Sequence, residues 1–117
     1  MTIQEIATRL VELCRAGQYS QAHDELFAEE AMSIEPVSSP APTVDGLTAI
    51  KEKTANFQAR IQEMHSSSTS DPLVADSYIS LVGSIDATMT DGSRMTLNEI
   101  CLYKVENGKI ISEQFFY

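Results

Sequence analysis

Cationic side chains are scarce in this chain: eight Lys and Arg stand against seventeen Asp and Glu in 117 residues, a formal net charge of −9. Such a surface repels polyanions and anionic bilayers, so neither nucleic acid nor membrane is an expected partner. Cysteine is also sparse. Cys14 and Cys101 lack metal-ligand spacing, one lying on an apolar helical face and the other inside a strand, which fits two reduced thiols in a reducing compartment. No apolar run approaches the ~18 residues of a membrane span, and no basic start followed by an apolar stretch marks a leader. The expectation is a cytoplasmic protein of one domain, residues 1–117. No Gly-rich phosphate loop and no cysteine pair is present, so no cofactor and no metal is expected.

What the chain does have is concentrated at its end. Residues 78–90, 94–105 and 109–117 are rich in Val, Ile, Thr, Tyr and Phe and are separated by Asp91-Gly92 and by Glu106-Asn107-Gly108, turn sequences that supply positive φ. They predict an antiparallel meander of three long strands. A sheet of this length cannot bury a face alone, so the preceding half must cover it.

That half reads as helices. Thr2 with Glu5 forms a capping-box pattern, and Ile3, Ile6, Ala7, Leu10, Val11, Leu13 and Cys14 recur at helical spacing until Gly17. Ser20 is placed to cap a second helix reaching about Ala28, with His23 among its exposed charges. A short strand, 31–35, is cut by Pro36, and the Pro-rich segment 37–45 reads as a loop at the mouth of a site. Leu47, Ile50, Thr54, Phe57 and Ile61 then mark one face of a third helix, and 62–70 reads as a strand that resumes at Leu73. The order implies an α+β fold: a curved antiparallel sheet of four long strands plus one short strand, covered by three helices.

Glu35-Pro36-Val37, Gly46 with Ala49-Ile50, residues 63–66, Asn98 to Tyr103, and above all Glu106 to Ile110 running into Glu113 to Tyr117 resemble the SnoaL-like group of the nuclear transport factor two-like superfamily, over essentially the whole chain. The resemblance implies a cone-shaped, cystatin-like barrel around a pocket for a small organic molecule, commonly a homodimer through the outer sheet face. The group includes polyketide cyclases, ketosteroid isomerases, epoxide hydrolases and non-catalytic binding domains, so fold is implied and reaction is not.

Side chains alternate along strands, so turn length sorts them. A two-residue turn at Asp91-Gly92 and a three-residue turn ending at Gly108 place Val82, Ser84, Asp86, Leu97, Glu99, Cys101, Tyr103, Ile111, Glu113, Phe115 and Tyr117 on one face. The other face takes Ile100, Leu102, Ile110, Gln114 and Phe116; Ile100, Leu102, Ile110 and Phe116 are the expected dimer patch. A two-residue final turn would instead move Glu113 outside. The resemblance puts the first face in the cavity. Asp86, Glu99 and Glu113 with His65 are then candidate acid/base groups, since desolvation and like charge raise carboxyl pKa values. By the same resemblance Glu35 stands where isomerases carry a general-base Asp. Phe57, Ser84, Cys101, Tyr103 and Phe115 are the candidate ligand walls. The chain departs from the enzyme subfamilies too: Leu10 replaces the isomerases' Tyr, and Phe115 the epoxide hydrolases' Asp.

Overall fold

The computed structural model describes residues 1–117. Thr2 caps α1 (Ile3–Arg15): its hydroxyl accepts from Glu5 N at 3.1 Å while its own N–H donates to Glu5 Oε1 at 2.8 Å. Helix α2 (Tyr19–Leu26) starts before Ser20, with Gln18 at the N-cap and no side-chain bond to it. It ends before Ala28 because Phe27 is already extended (φ −94°, ψ 144°) and opens strand β1 (Phe27–Ile34), longer than the short strand expected. His23 is not exposed among charges but buried, edge-on to Phe27 at 4.9 Å between ring centroids, and its Nδ1 has no partner. The stripe Ala22, Leu26 carries it inward with the helix.

The segment read as a loop holds a two-residue strand, β2 (Val44–Asp45), paired with Met32 and Ser33. Gly46 (φ 93°) turns the chain into α3 (Leu47–Ala59). Then follow β3 (Ile61–Thr69), β4 (Leu73–Ala75), β5 (Tyr78–Met89), β6 (Arg94–Glu106) and β7 (Lys109–Phe116). The sheet order is β2-β1-β7-β6-β5-β3, with β4 also on β5. The first long strand is parallel to the last, so β7 is interior and residues distant in sequence meet beside it. The curved sheet stays open, its edges being β2 and β3.

Ile6 and Leu10 of α1, Leu26 of α2 and Ile50 of α3 pack with Ile79 and Ile110 of the sheet in one core, each 2% exposed or less. Each such burial contributes roughly 1.5–3 kcal/mol. No helix is long and apolar enough to cross a membrane.

Both hairpins differ from their expected turn lengths, and the differences decide which side chains face inward. Between β5 and β6 the loop is three residues, Thr90 to Gly92, closed by Met89 N–H on Ser93 O at 2.8 Å with Gly92 at φ 88°. This slides the register by one residue: Asp86 pairs with Thr96, Ser84 with Asn98, and Gly83 with Glu99. Asp86, Ser84 and Val82 therefore leave the inner face. Between β6 and β7 the turn is two residues, Asn107 and Gly108, with φ of 51° and 73°. A bulge follows at once, since Val105 pairs with Ile110 but Lys104 with Ser112. The extra residue returns Glu113 to the inside, opposite Tyr103. Ile110 sits before the bulge, opposite Val105, and is fully buried in the core instead of lying on the outer patch.

Candidate functional site

The inner face of the sheet carries a polar network inside the apolar core. Ser33 of β1 and Glu113 of β7 are register partners in the parallel pair, and the Ser33 hydroxyl donates to Glu113 Oε1 at 2.8 Å. Ser33 is 0% exposed and Glu113 5%. Lys53 reaches them from α3: its Nζ donates to Ser33 Oγ at 2.6 Å, to Glu35 Oε2 at 2.9 Å and to the Pro42 carbonyl at 3.2 Å. The Tyr117 hydroxyl donates to the other Glu35 oxygen at 2.8 Å and contacts Ser39 Oγ at 2.5 Å. Glu35 is thus a salt-bridge partner whose two oxygens are both occupied. The Pro-rich loop is tied to this network through Ser39 and Pro42.

Sequence reasoning missed Lys53 and Ser33. The signal for Lys53 was its spacing, three residues after Ile50 and four before Phe57, which puts it on the buried stripe of α3. Ser33 alternates with Ala31 on β1, so its inward aspect was readable, but its partner across a parallel pairing was not.

Glu99 occupies the same face further along β6. Its Oε1 accepts from the Cys101 thiol at 3.6 Å, and its carboxyl lies over β5 where Gly83 leaves room, 3.8 Å from where a Cβ would stand. Burial is the main cause that pushes Glu99 up to about 7; the Cys101 thiol and Lys53 pull against it, and Glu35 adds repulsion. Burial likewise pushes Glu113 up to about 7 against the Ser33 hydrogen bond and Lys53. Burial raises the Tyr103 hydroxyl well above its ordinary range and the Cys14 thiol to about 11, so both stay protonated. Tyr19, at the start of α2, is also raised by burial and feels Cys14, Glu99 and Cys101.

Among buried side-chain polar atoms only His23 Nδ1 lacks a hydrogen-bond partner. The hydroxyls of Tyr19 and Tyr103 bond to no protein group, so they border accessible space rather than sealed core. That space is marked by apolar side chains that share the inner face of the sheet yet stay half-buried: Ile85, Leu97 and Phe115. Two surface depressions, of about 580 and 420 Å3, lie elsewhere, beside Arg60 and Arg94 at the β5–β6 turn and between α1 and Asp71-Pro72.

The structure therefore brings together Glu35, Glu99, Glu113, Cys101, Tyr103 and Phe115; Phe57 is half-buried on α3 beneath Arg60. It separates three expected members. Asp86 lies on the opposite face in a two-point bond to Arg94, at 2.6 and 2.9 Å. Ser84 donates to Asn98 Oδ1 there, and His65 bonds Thr88 Oγ1 at 2.7 Å, near Asp86. The three-residue β5–β6 loop is the reason for all of β5. No three His, Cys, Asp or Glu side chains are grouped to hold a metal ion.

The SnoaL-like domain family model matches residues 1–117. A Mesorhizobium loti protein, named as a suspected SnoaL-like polyketide cyclase and also with the words carbohydrate phosphatase, is 34% identical over 100% of both chains, with a TM-score of 0.92. Two further structures share the fold at low identity. A nuclear transport factor two-like protein of Burkholderia thailandensis has TM-score 0.84, 14% identity, and 99% and 90% coverage. A Catenulispora acidiphila protein with a ketosteroid isomerase-like fold, in complex with trimethylamine, has TM-score 0.75, 17% identity, and 97% and 85% coverage. No curated protein matches the chain. The cystatin-like α+β architecture, the family model over the full length and the Mesorhizobium relative agree: the chain belongs to the SnoaL-like domain family.

Proposed function

We propose that the inner face is an acid/base site for a small organic substrate, with Glu99 as the group that exchanges a proton with it. The observation that carries the reading is the pair of inward carboxyls, Glu99 half-buried on β6 and Glu113 buried on β7 further along the face, both held near 7 by desolvation. A carboxyl with a pKa near ambient pH is present in both protonation states and suits proton transfer at carbon beside a carbonyl. The Tyr103 and Tyr19 hydroxyls, protonated and without protein partners, are the donors available to a developing oxyanion. Glu113 is the fixed second acid, held by Ser33. Glu35 does not act as the base, because Lys53 and Tyr117 occupy it. Such a proton abstraction serves ring closure, the activity suspected of the Mesorhizobium relative, and isomerisation alike.

Carbon-detected NMR titration of the glutamate side chains tests the pair directly. Two carboxyls are expected to titrate with midpoints near pH 7, and Glu99→Gln is expected to remove one of them while leaving the fold intact. In a screen of enolisable ketones and β-dicarbonyl compounds, the same variant is expected to lose turnover by at least about 100-fold. A Glu99 midpoint in the ordinary carboxylate range, or full activity in Glu99→Gln, defeats the reading.

The outer face supports a homodimer. Val82, Ile100 and Phe116 are lateral neighbours across three strands and are 46%, 51% and 46% exposed, with Leu102 half-buried beside them. An apolar row of this kind on a chain of net charge −9 is best covered by a second copy in a self-complementary contact. Light scattering is expected to give about twice the 12.9 kDa chain mass, falling to one chain mass in Ile100→Glu. A monomeric parent would overturn the assignment. The two free thiols fit the reducing, cytoplasmic setting expected from the sequence.

A further inference from the structure

The distribution of charge around the inner face restricts what that site can hold, and the restriction rests on the acid/base reading of Glu99 given above. Of the eight cationic residues, Lys53 alone enters the interior, and its three N–H groups are all donated, to Ser33, Glu35 and the Pro42 carbonyl. The others lie on the surface. Arg9 pairs with Glu25, Arg15 with Asp71, Lys51 with Asp24 and Arg94 with Asp86. Lys109 donates to the Glu25 carbonyl, Lys104 stands over Tyr78, and Arg60 is exposed beyond Phe57. A ligand carboxylate or phosphate entering the concavity would meet two carboxyls and no available cation. Glu35 is balanced by Lys53, so with Glu99 and Glu113 protonated the interior is neutral.

We infer that the site takes small organic cations, ammonium compounds in which the charged nitrogen carries alkyl groups, seated against the Glu99 carboxylate with their apolar part on Leu97, Ile85 and Phe115. Binding exchanges one positive charge for another. The ammonium enters, the Glu99 proton leaves to solvent, and the net interior charge stays at zero. The groups near Glu99 agree with this exchange: Cys101 on its own strand, Tyr19 of α2 and Tyr103 are all neutral, Glu35 adds negative potential, and Glu113 of β7 adds it once ionised. Lys53 is the sole opposing charge; it is paired with Glu35 at 2.9 Å and its Nζ stands over the Phe115 ring, so the ligand nitrogen sits at the Glu99 end of the face. Apolar rings and side chains around a carboxylate suit alkylammonium groups, which cost less to desolvate than a bare ammonium and are attracted to aromatic faces.

The test compares three probes of one size, tetramethylammonium, neopentyl alcohol and pivalate, added to the whole protein at 0.15 M salt so that the general surface charge is screened. Amide chemical shifts of residues 97–101 and 115 report site occupancy, and calorimetry in two buffers of different ionisation enthalpy counts protons. Tetramethylammonium is expected to bind at least about tenfold more tightly than the other two, to release close to one proton at pH 6, and to bind about tenfold more tightly at pH 8 than at pH 6. Glu99→Gln is expected to remove that preference. Equal binding of neopentyl alcohol or pivalate overturns the inference, as does cation binding that Glu99→Gln leaves unchanged. Absence of shifts from all three probes overturns it as well. None of these outcomes touches the acid/base reading, which falls if Glu99 titrates in the ordinary carboxylate range or if Glu99→Gln keeps full activity.

Discussion

Replacing Lys53 with Met is expected to destabilise the protein by about 3–5 kcal/mol at pH 7.5, measured by urea unfolding. The Lys53 and Glu35 side chains are only 13% and 9% exposed, so water does not take over the lost contacts. Met fills most of the lysine's volume, so little cavity is left, but the Nζ that stands over the Phe115 ring, 5.7 Å from its centroid, is lost. What disappears is one charge and three donors at once, stranding the Glu35 carboxylate, Ser33 Oγ and the Pro42 carbonyl. Tyr117 continues to donate to Glu35 and softens the loss. The double variant Lys53→Met/Glu35→Gln, with no stranded charge, is expected to recover at least about 1–2 kcal/mol relative to Lys53→Met, a coupling that surface ion pairs do not show. A loss under about 1 kcal/mol, with no recovery in the double variant, would mean that the pair is solvent-screened and that the network does not anchor the loop.

The pairing of Lys53 also shows where the sequence was legible and where it was not. Helices α1 and α3 and the three long strands followed from local pattern: the capping box at Thr2, the stripe Leu47, Ile50, Phe57, and the runs broken by Asp91-Gly92 and Asn107-Gly108. Such features depend on neighbours within a few residues. The site depends on contacts across the sheet, where Ser33 meets Glu113 eighty positions away because β1 inserts parallel beside β7. Nothing local specifies a parallel partner. Register was the second obstacle. Asp-Gly fits both a two- and a three-residue loop, and the choice of the longer one moved Asp86 and Ser84 to the outer face. At the next hairpin the turn was shorter than expected and the bulge after it restored parity, so Glu113 points inward for a reason that turn counting did not contain. Turn sequence sets where a hairpin reverses; loop length and bulges set which residues it buries.

Glu113→Gln is expected to change the pH dependence of stability strongly. Glu113 is 5% exposed and its folded pKa stands near 7, against a reference value of 4.5 for the free side chain. Between those two values the folded protein holds a proton that the unfolded chain has released, so stability falls as pH rises through this window and levels off above it. A shift of this size corresponds to about 3 kcal/mol. Glu99 acts in the same direction. His23 acts oppositely: burial lowers it to about 4, so its contribution is lost as pH falls below its ordinary value. The lowered carboxyls Glu25, Asp86 and Asp91, each held by a hydrogen-bonding partner, lose their contribution only towards acid pH, below the window. The difference between variant and parent removes all these shared contributions. The substituted amide keeps an oxygen for the Ser33 hydroxyl and cannot ionise, so the two proteins are expected to be closely similar at pH 4.5 and to diverge progressively, the variant becoming the more stable by about 3 kcal/mol at pH 8. Urea unfolding at half-unit steps follows the divergence. Parallel curves across the window would mean that Glu113 ionises freely in the folded state, and the buried second acid of the inner face would then be an ordinary carboxylate.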